Sequence, residues 1–114
     1  MTIESEELAA RLDDPDLLVI DVRTPAEYSG AGGYPCDPRQ GHIRGAVNLE
    51  AAQLIESSPE EIRALVGRTE GSEIVCYCHS GGRSAMAAAA LRNAGYEARN
   101  YAGSWHEWSR RATD

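Results

Sequence analysis

Cys78 leads into His79-Ser80-Gly81-Gly82-Arg83-Ser84, a thiol followed by two glycines and an arginine, and no other stretch of the chain is so suited to chemistry. Glu73-Ile74-Val75-Cys76-Tyr77 ahead of it is a short apolar run of β-formers and predicts a buried strand. The run after it, residues 83–94, is dominated by Ala, Met, Leu and Arg, and Gly95 supplies a stop, so it predicts a helix. A strand, a glycine turn and a helix start place backbone N–H groups and a partial positive charge around one point. Such a nest holds an anion. A cysteine at its mouth is expected as a thiolate at neutral pH, below the free-thiol value of about 8.5. Cys78 is therefore the candidate nucleophile, and Ser80 to Ser84 supply its cradle.

Elements that could position this loop alternate along the chain. Ser5 is placed to cap a first helix over residues 5–12, which Asp13-Asp14-Pro15-Asp16 breaks. Leu17-Leu18-Val19-Ile20 is a continuous apolar run, the pattern of a strand covered on both faces. Asp21-Val22-Arg23 ends it, and Thr24 with Pro25 opens a short helical turn. Residues 29–41 are rich in Gly, Pro and polar side chains and predict an irregular loop. A short strand over 46–49 follows, then helices over 50–57 and 59–66, parted at Ser58-Pro59. Residues 97–101 predict the last strand and 104–111 the last helix. Strands separated by helices imply parallel crossovers. The expected fold class is α/β, a three-layer sandwich with a central, mainly parallel sheet of about five strands flanked by helices. Sites in such folds lie beyond the carboxyl ends of the strands, where both Cys78 and the Asp21–Arg23 segment fall.

Composition narrows the function. The 114 residues carry 18 acidic against 11 basic side chains, a net charge of −7, and every basic residue is arginine. One domain over 1–114 with one core is expected, and a small complete core makes a monomer the default. An acidic chain without a basic run argues against nucleic acid and against anionic membranes. Residues 1–7 lack the basic start and apolar core of an export signal, and no apolar run is long enough for a membrane span. Three cysteines without an export signal predict reduced thiols in the cytoplasm.

Four stretches in order resemble the rhodanese-type sulfurtransferases. These are residues 78–84, the Leu18-Val19-Ile20-Asp21-Val22-Arg23-Thr24-Pro25-Ala26-Glu27-Tyr28 run, the Gly41-His42-Ile43-Arg44-Gly45-Ala46-Val47-Asn48-Leu49 run, and Gly103-Ser104-Trp105-His106-Glu107-Trp108. The resemblance covers residues 5–110. Loop length discriminates within that fold. Six residues run from Cys78 through Arg83, as the resemblance implies for sulfur transfer, whereas related phosphatases and arsenate reductases carry one more. The implied chemistry is nucleophilic: Cys78 takes the outer sulfur of a small-molecule donor and passes it to a thiol or cyanide acceptor, or to a sulfur-accepting protein. A non-catalytic or carrier module serving a partner protein is the alternative. The resemblance makes His79, Ser80, Gly81, Gly82, Arg83 and Ser84 the substrate-binding set. It makes Asp21, Arg23 and His42 supporting residues. His79 stands where mercaptopyruvate-using members carry glycine, which favours thiosulfate or a persulfide as donor. Glu27 stands where some thiosulfate-using members carry a basic residue, which weakens the case for anionic donors.

The other candidates have plainer readings. Cys76, two residues before Cys78 on the strand, reads as core, with a resolving thiol as the second reading. Cys36 reads as an exposed loop residue, idle, or able to receive sulfur from or pair with Cys78. Asp21 and Arg23 read as a structural ion pair before substrate contacts. Trp105 and Trp108 read as core of the last helix. His79 reads as exposed in the loop and not needed as a general base. His42, His79 and His106 show neither Cys-x-x-Cys nor paired-His spacing, so no metal and no cofactor are expected.

Overall fold

Period-2 alternation along two strands divides the protein into layers. In the computed structural model, which describes residues 1–111, β1 (Leu17–Asp21) and β3 (Glu73–Tyr77) lie side by side in register, Leu18 against Ile74 and Ile20 against Cys76. Leu18, Ile20, Ile74 and Cys76 point to one face and Leu17, Val19, Val75 and Tyr77 to the other, so each face builds its own core. α3 (Ala51–Glu56), α4 (Pro59–Val66) and α5 (Gly82–Asn93) cover the first face through Ala51, Leu54, Ile62, Ala87, Ala88 and Leu91. α1 (Ser5–Ala10) and α6 (Ser104–Trp108) cover the second through Leu8, Trp105 and Trp108. The short side chains of α5 let its backbone come close to the sheet. Its opposite side leaves Met86 exposed.

The sheet is parallel throughout, in the order β2-β1-β3-β4, with β2 (Val47–Asn48) and β4 (Glu97–Asn100) at its edges. The α/β sandwich is as expected, but the sheet has four strands and not about five. Beside β4 the N-terminal segment makes a single parallel bridge, Thr2 to Asn100, too short to form a fifth strand.

Local signals set most boundaries. Thr24 caps α2 (Pro25–Ser29), and its hydroxyl accepts the Glu27 N–H while the Glu27 side chain accepts the Thr24 N–H. Ser58 and Glu61 form the same box at α4. The first helix differs from expectation. Its N-cap is Glu4 without a side-chain cap, Ser5 is its first residue, and the Ser5 hydroxyl turns to Glu6. It also ends at Ala10, ahead of the Asp13-Asp14 break. The last helix ends at Trp108, three residues earlier than expected. Among the described residues no helix is long and apolar enough to cross a membrane.

Candidate active site

β3 delivers Cys78 to the carboxyl end of the central strands, and the chain turns at once into α5. Gly81 makes that turn at φ +98°, and a Cβ there would sit 2.7 Å from the Ala102 carbonyl oxygen, so the position needs glycine for conformation and for space. As N-cap of α5, Gly81 brings no side chain to the first-turn N–H groups, which stay available to a ligand.

The loop's carbonyls face away from the sulfur. Trp105 N–H donates to the Cys78 carbonyl (2.9 Å) and His106 N–H to the His79 carbonyl (3.0 Å), which ties the loop to α6. The amides are left pointing inward, and Gly81 N–H donates to Cys78 Sγ at 3.1 Å. Ser84 Oγ lies 3.3 Å from the same sulfur. Burial disfavours the charged thiolate, yet the Ser84 hydroxyl and the N–H groups of Ser84, Gly81 and Ser80 outweigh it, and the Cys78 thiol is held below its ordinary value. The residue is 1% exposed, so its sulfur is reached only by a small group entering the loop.

Ser104 completes the frame. It is the one non-glycine residue with positive φ (56°) among those described, and it is fully buried. Its hydroxyl accepts the Cys78 N–H at 3.0 Å and donates to the Tyr101 carbonyl at 2.9 Å. The left-handed backbone aims that hydroxyl at the nucleophile's own amide. Cys76 sits one layer below, wholly buried, its thiol pushed up to about 12 by desolvation, and so stays a neutral core residue.

Of the residues expected to bind substrate, Ser80, Gly81 and Ser84 gather on the sulfur. Gly82 opens the helix with free space around its Cα. Arg83 stands at the mouth, its guanidinium paired to the Glu27 carboxylate at 3.1 and 3.3 Å. A cavity of about 270 Å³ lined by Glu27, Gly33, Tyr34, Pro35 and Arg83 opens there. Two larger hollows lie at the amino ends of β3 and β4, against Glu73 and Glu97, and neither is lined by a cysteine. Burial of Glu27 opposes its charge, but Arg83 and Thr24 together keep its carboxyl below the usual range, so the mouth carries a neutralised pair.

His79 is not exposed in the loop as expected. Its ring is packed face to face on Tyr34 (centroids 3.7 Å apart), and its Nε2 donates to Asp37 Oδ2 at 2.9 Å, because residues 29–41 fold back over it. That loop is pinned to α6 by Arg39, which donates to the Trp108 and Ser109 carbonyls, and by Trp105 Nε1, which donates to the Arg39 carbonyl. His42 is exposed and stacks on Tyr28 (3.8 Å), closing the loop's two ends on each other away from the sulfur.

Asp21 and Arg23 form a wholly buried pair beneath the site. Asp21 accepts Arg23 Nη2 (2.7 Å), Arg23 Nε, the Arg23 N–H and Tyr77 Oη (2.8 Å). Arg23 also donates to the Gly41 carbonyl, and Tyr77 Oη accepts the Ile43 N–H, so this pair anchors the far end of the loop. Sequence reasoning did not find the roles of Ser104, Asp37, Tyr34 or Tyr77. The Ser104-Trp105 stretch was a signal for the first, while the others act across long separations.

The model of the rhodanese-like domain matches residues 4–111. A thiosulfate sulfurtransferase of Pseudomonas aeruginosa is 33% identical over 112 residues, covering 90% of this chain and 41% of that protein. A sulfur carrier protein of Thermus thermophilus is 39% identical over 106 residues, covering 79% of this chain and 37% of its own length. The chain thus spans about two fifths of the length of these two relatives. Among solved structures, a human single-domain sulfurtransferase superposes with a TM-score of 0.71 at 29% identity, covering 98% of this chain and 97% of that one.

Proposed function

The chain belongs to the rhodanese-like domain family, and on that premise we propose that it transfers sulfane sulfur through a persulfide on Cys78. The observation that carries this reading is the set of donors converging on Cys78 Sγ, from Gly81, Ser84 and Ser80, which stabilise a thiolate and then the anionic persulfide in its place. In the first half-reaction the Cys78 thiolate attacks the outer sulfur of thiosulfate. A Cys78 S–S bond forms, the donor's S–S bond breaks, and sulfite leaves with the electron pair. In the second, cyanide or a thiolate attacks the outer sulfur, a new bond to that sulfur gives thiocyanate or a new persulfide, and the Cys78 S–S bond breaks to regenerate the Cys78 thiolate. Arg83, partly exposed at the mouth, faces the leaving group, and its pairing with Glu27 tempers its hold on a dianion. That favours persulfide donors beside thiosulfate.

A carrier role, in which Cys78 is loaded quickly and discharges to a protein partner, is the second reading; the sulfur carrier among the relatives favours it. The six-residue loop speaks against phosphate or arsenate chemistry. A reducing, cytoplasmic setting fits a nucleophilic thiol that must stay reduced to work. Intact mass after incubation with thiosulfate tests the reading on wild type and Cys78→Ser side by side. A reducible gain of one sulfur atom in the wild type alone is expected, and cyanide discharge then separates turnover from carriage. Equal gain in Cys78→Ser, or no gain with any sulfane donor, overturns it.

A further inference from the structure

Folding brings together a donor set that the spacing along the chain conceals. Cys36 Sγ, an Asp37 carboxylate oxygen and a ring nitrogen of His79 all lie within 4.8 Å of one another. His79 Nε2 is 2.9 Å from Asp37 Oδ2, and Cys36 Sγ is 4.0 Å from Asp37 Oδ1. A tetrahedral zinc ion with one sulfur and several N/O ligands needs donor separations of roughly 3.3–3.6 Å, which atoms already within 4.8 Å of one another reach by small side-chain rotations. His106 Nδ1, 3.8 Å from Asp37 Oδ1, stands next to the group. We propose that Cys36, Asp37 and His79 form a site for a thiophilic divalent cation of the zinc type, with His106 or water in the fourth position.

The donors are held in place before any ion arrives. Arg110 donates to Asp37 Oδ1 (3.0 Å) and to the Cys36 carbonyl (3.2 Å), so Oδ2, which faces His79 Nε2, is the carboxylate oxygen an ion would take. It is an outer partner that orients the carboxylate. Tyr34 fixes the plane of the His79 ring, and His106 meets that ring edge-on at 5.6 Å. The Asp37 side chain is fully buried, and a buried carboxylate is found paired or coordinating. A thiolate, an imidazole and a carboxylate select zinc or cobalt over magnesium or calcium, which prefer oxygen alone. Binding displaces the Cys36 thiol proton to solvent and leaves the His79 ring proton on Nδ1, with Nε2 facing the ion.

This site does not depend on sulfur transfer, and the test removes that chemistry. Cobalt(II) is titrated into the Cys78→Ser protein, in which Cys36 is the exposed thiol and Cys76 is sealed in the core. One equivalent should produce a near-ultraviolet thiolate-to-cobalt band with tetrahedral d–d absorption, and equimolar zinc should displace it. Adding Cys36→Ser should abolish the band, and adding His79→Ala should weaken binding by at least about 10-fold. Cys36 is exposed, so its replacement leaves the fold intact and circular dichroism serves as the check. No band, a band that survives Cys36→Ser, or saturation only at millimolar cobalt overturns the proposal.

Discussion

Replacing Ser84 with alanine tests whether the cradle, and not proximity to α5 alone, makes Cys78 a thiolate. Ser84 Oγ has one proton and three acceptors: Cys78 Sγ at 3.3 Å, the Gly81 carbonyl at 3.2 Å and Asn100 Oδ1 at 2.6 Å. When Cys78 is ionised the sulfur is the charged acceptor, and a bond to a charged group contributes about 1.5–3 kcal/mol. At about 1.4 kcal/mol per pKa unit this corresponds to a shift of about one to two units. Competition from Asn100 for the same proton puts the effect at the lower end, about one unit. The sign follows from what is lost: a donor to the thiolate favours the charged form, so its removal raises the Cys78 pKa. The assay is the rate of iodoacetamide alkylation of Cys78 against pH, followed by intact mass. The midpoint should move up by about one unit in Ser84→Ala, with the plateau at high pH unchanged. The variant also leaves Asn100 Oδ1 without its buried partner, so stability should fall by about 1–3 kcal/mol. An unshifted midpoint in a folded variant would refute the reasoning and leave the backbone N–H groups as the whole cradle.

Two further outcomes follow from charge placement. Glu27→Gln keeps an acceptor for the Thr24 cap but releases Arg83, so kcat/KM with thiosulfate should rise about fivefold, mostly through KM, with little change for a neutral persulfide donor. No gain with thiosulfate would mean that Arg83 does not meet the donor. Arg23→Met strips a wholly buried carboxylate of its guanidinium and should cost about 3–5 kcal/mol in urea unfolding, with part recovered when Asp21→Asn is added. A loss below about 1 kcal/mol would show that Tyr77 and water satisfy Asp21 alone.

Much of the scaffold could be read from local signals because the physics there is local. Thr24 followed by Pro25 marks a helix start wherever it occurs, and the unbroken Leu17–Ile20 run could sit only in a sheet covered on both sides. Gly81 and the thiol before it were legible as a turn into a helix. Ser5 was misread because its hydroxyl had a nearer partner in Glu6. The count of about five strands failed because the segment at Thr2 reaches Asn100 for a single bridge. What stayed hidden at the site depends on long-range packing. His79 looked exposed because nothing near it in sequence says that residues 29–41 return to bury it under Tyr34 and Asp37. Glu27 was noticed as an acid, but its partner lies 56 residues on. Ser104 gave a motif, and its positive φ came from the fold.

The bonds from α6 to the loop set an order in time as well as in space. The amides of Trp105 and His106 hold the Cys78 and His79 carbonyls outward, and the Ser104 hydroxyl takes the Cys78 N–H. The strand, the glycine turn and the whole of α5 are made by the ribosome before any of these three residues exists. Until α6 docks, the Cys78 and His79 carbonyls and the Cys78 N–H lack these partners, so the loop that carries the donors to the sulfur is unframed. The cradle is thus held in its final shape only once the second face of the sheet is covered.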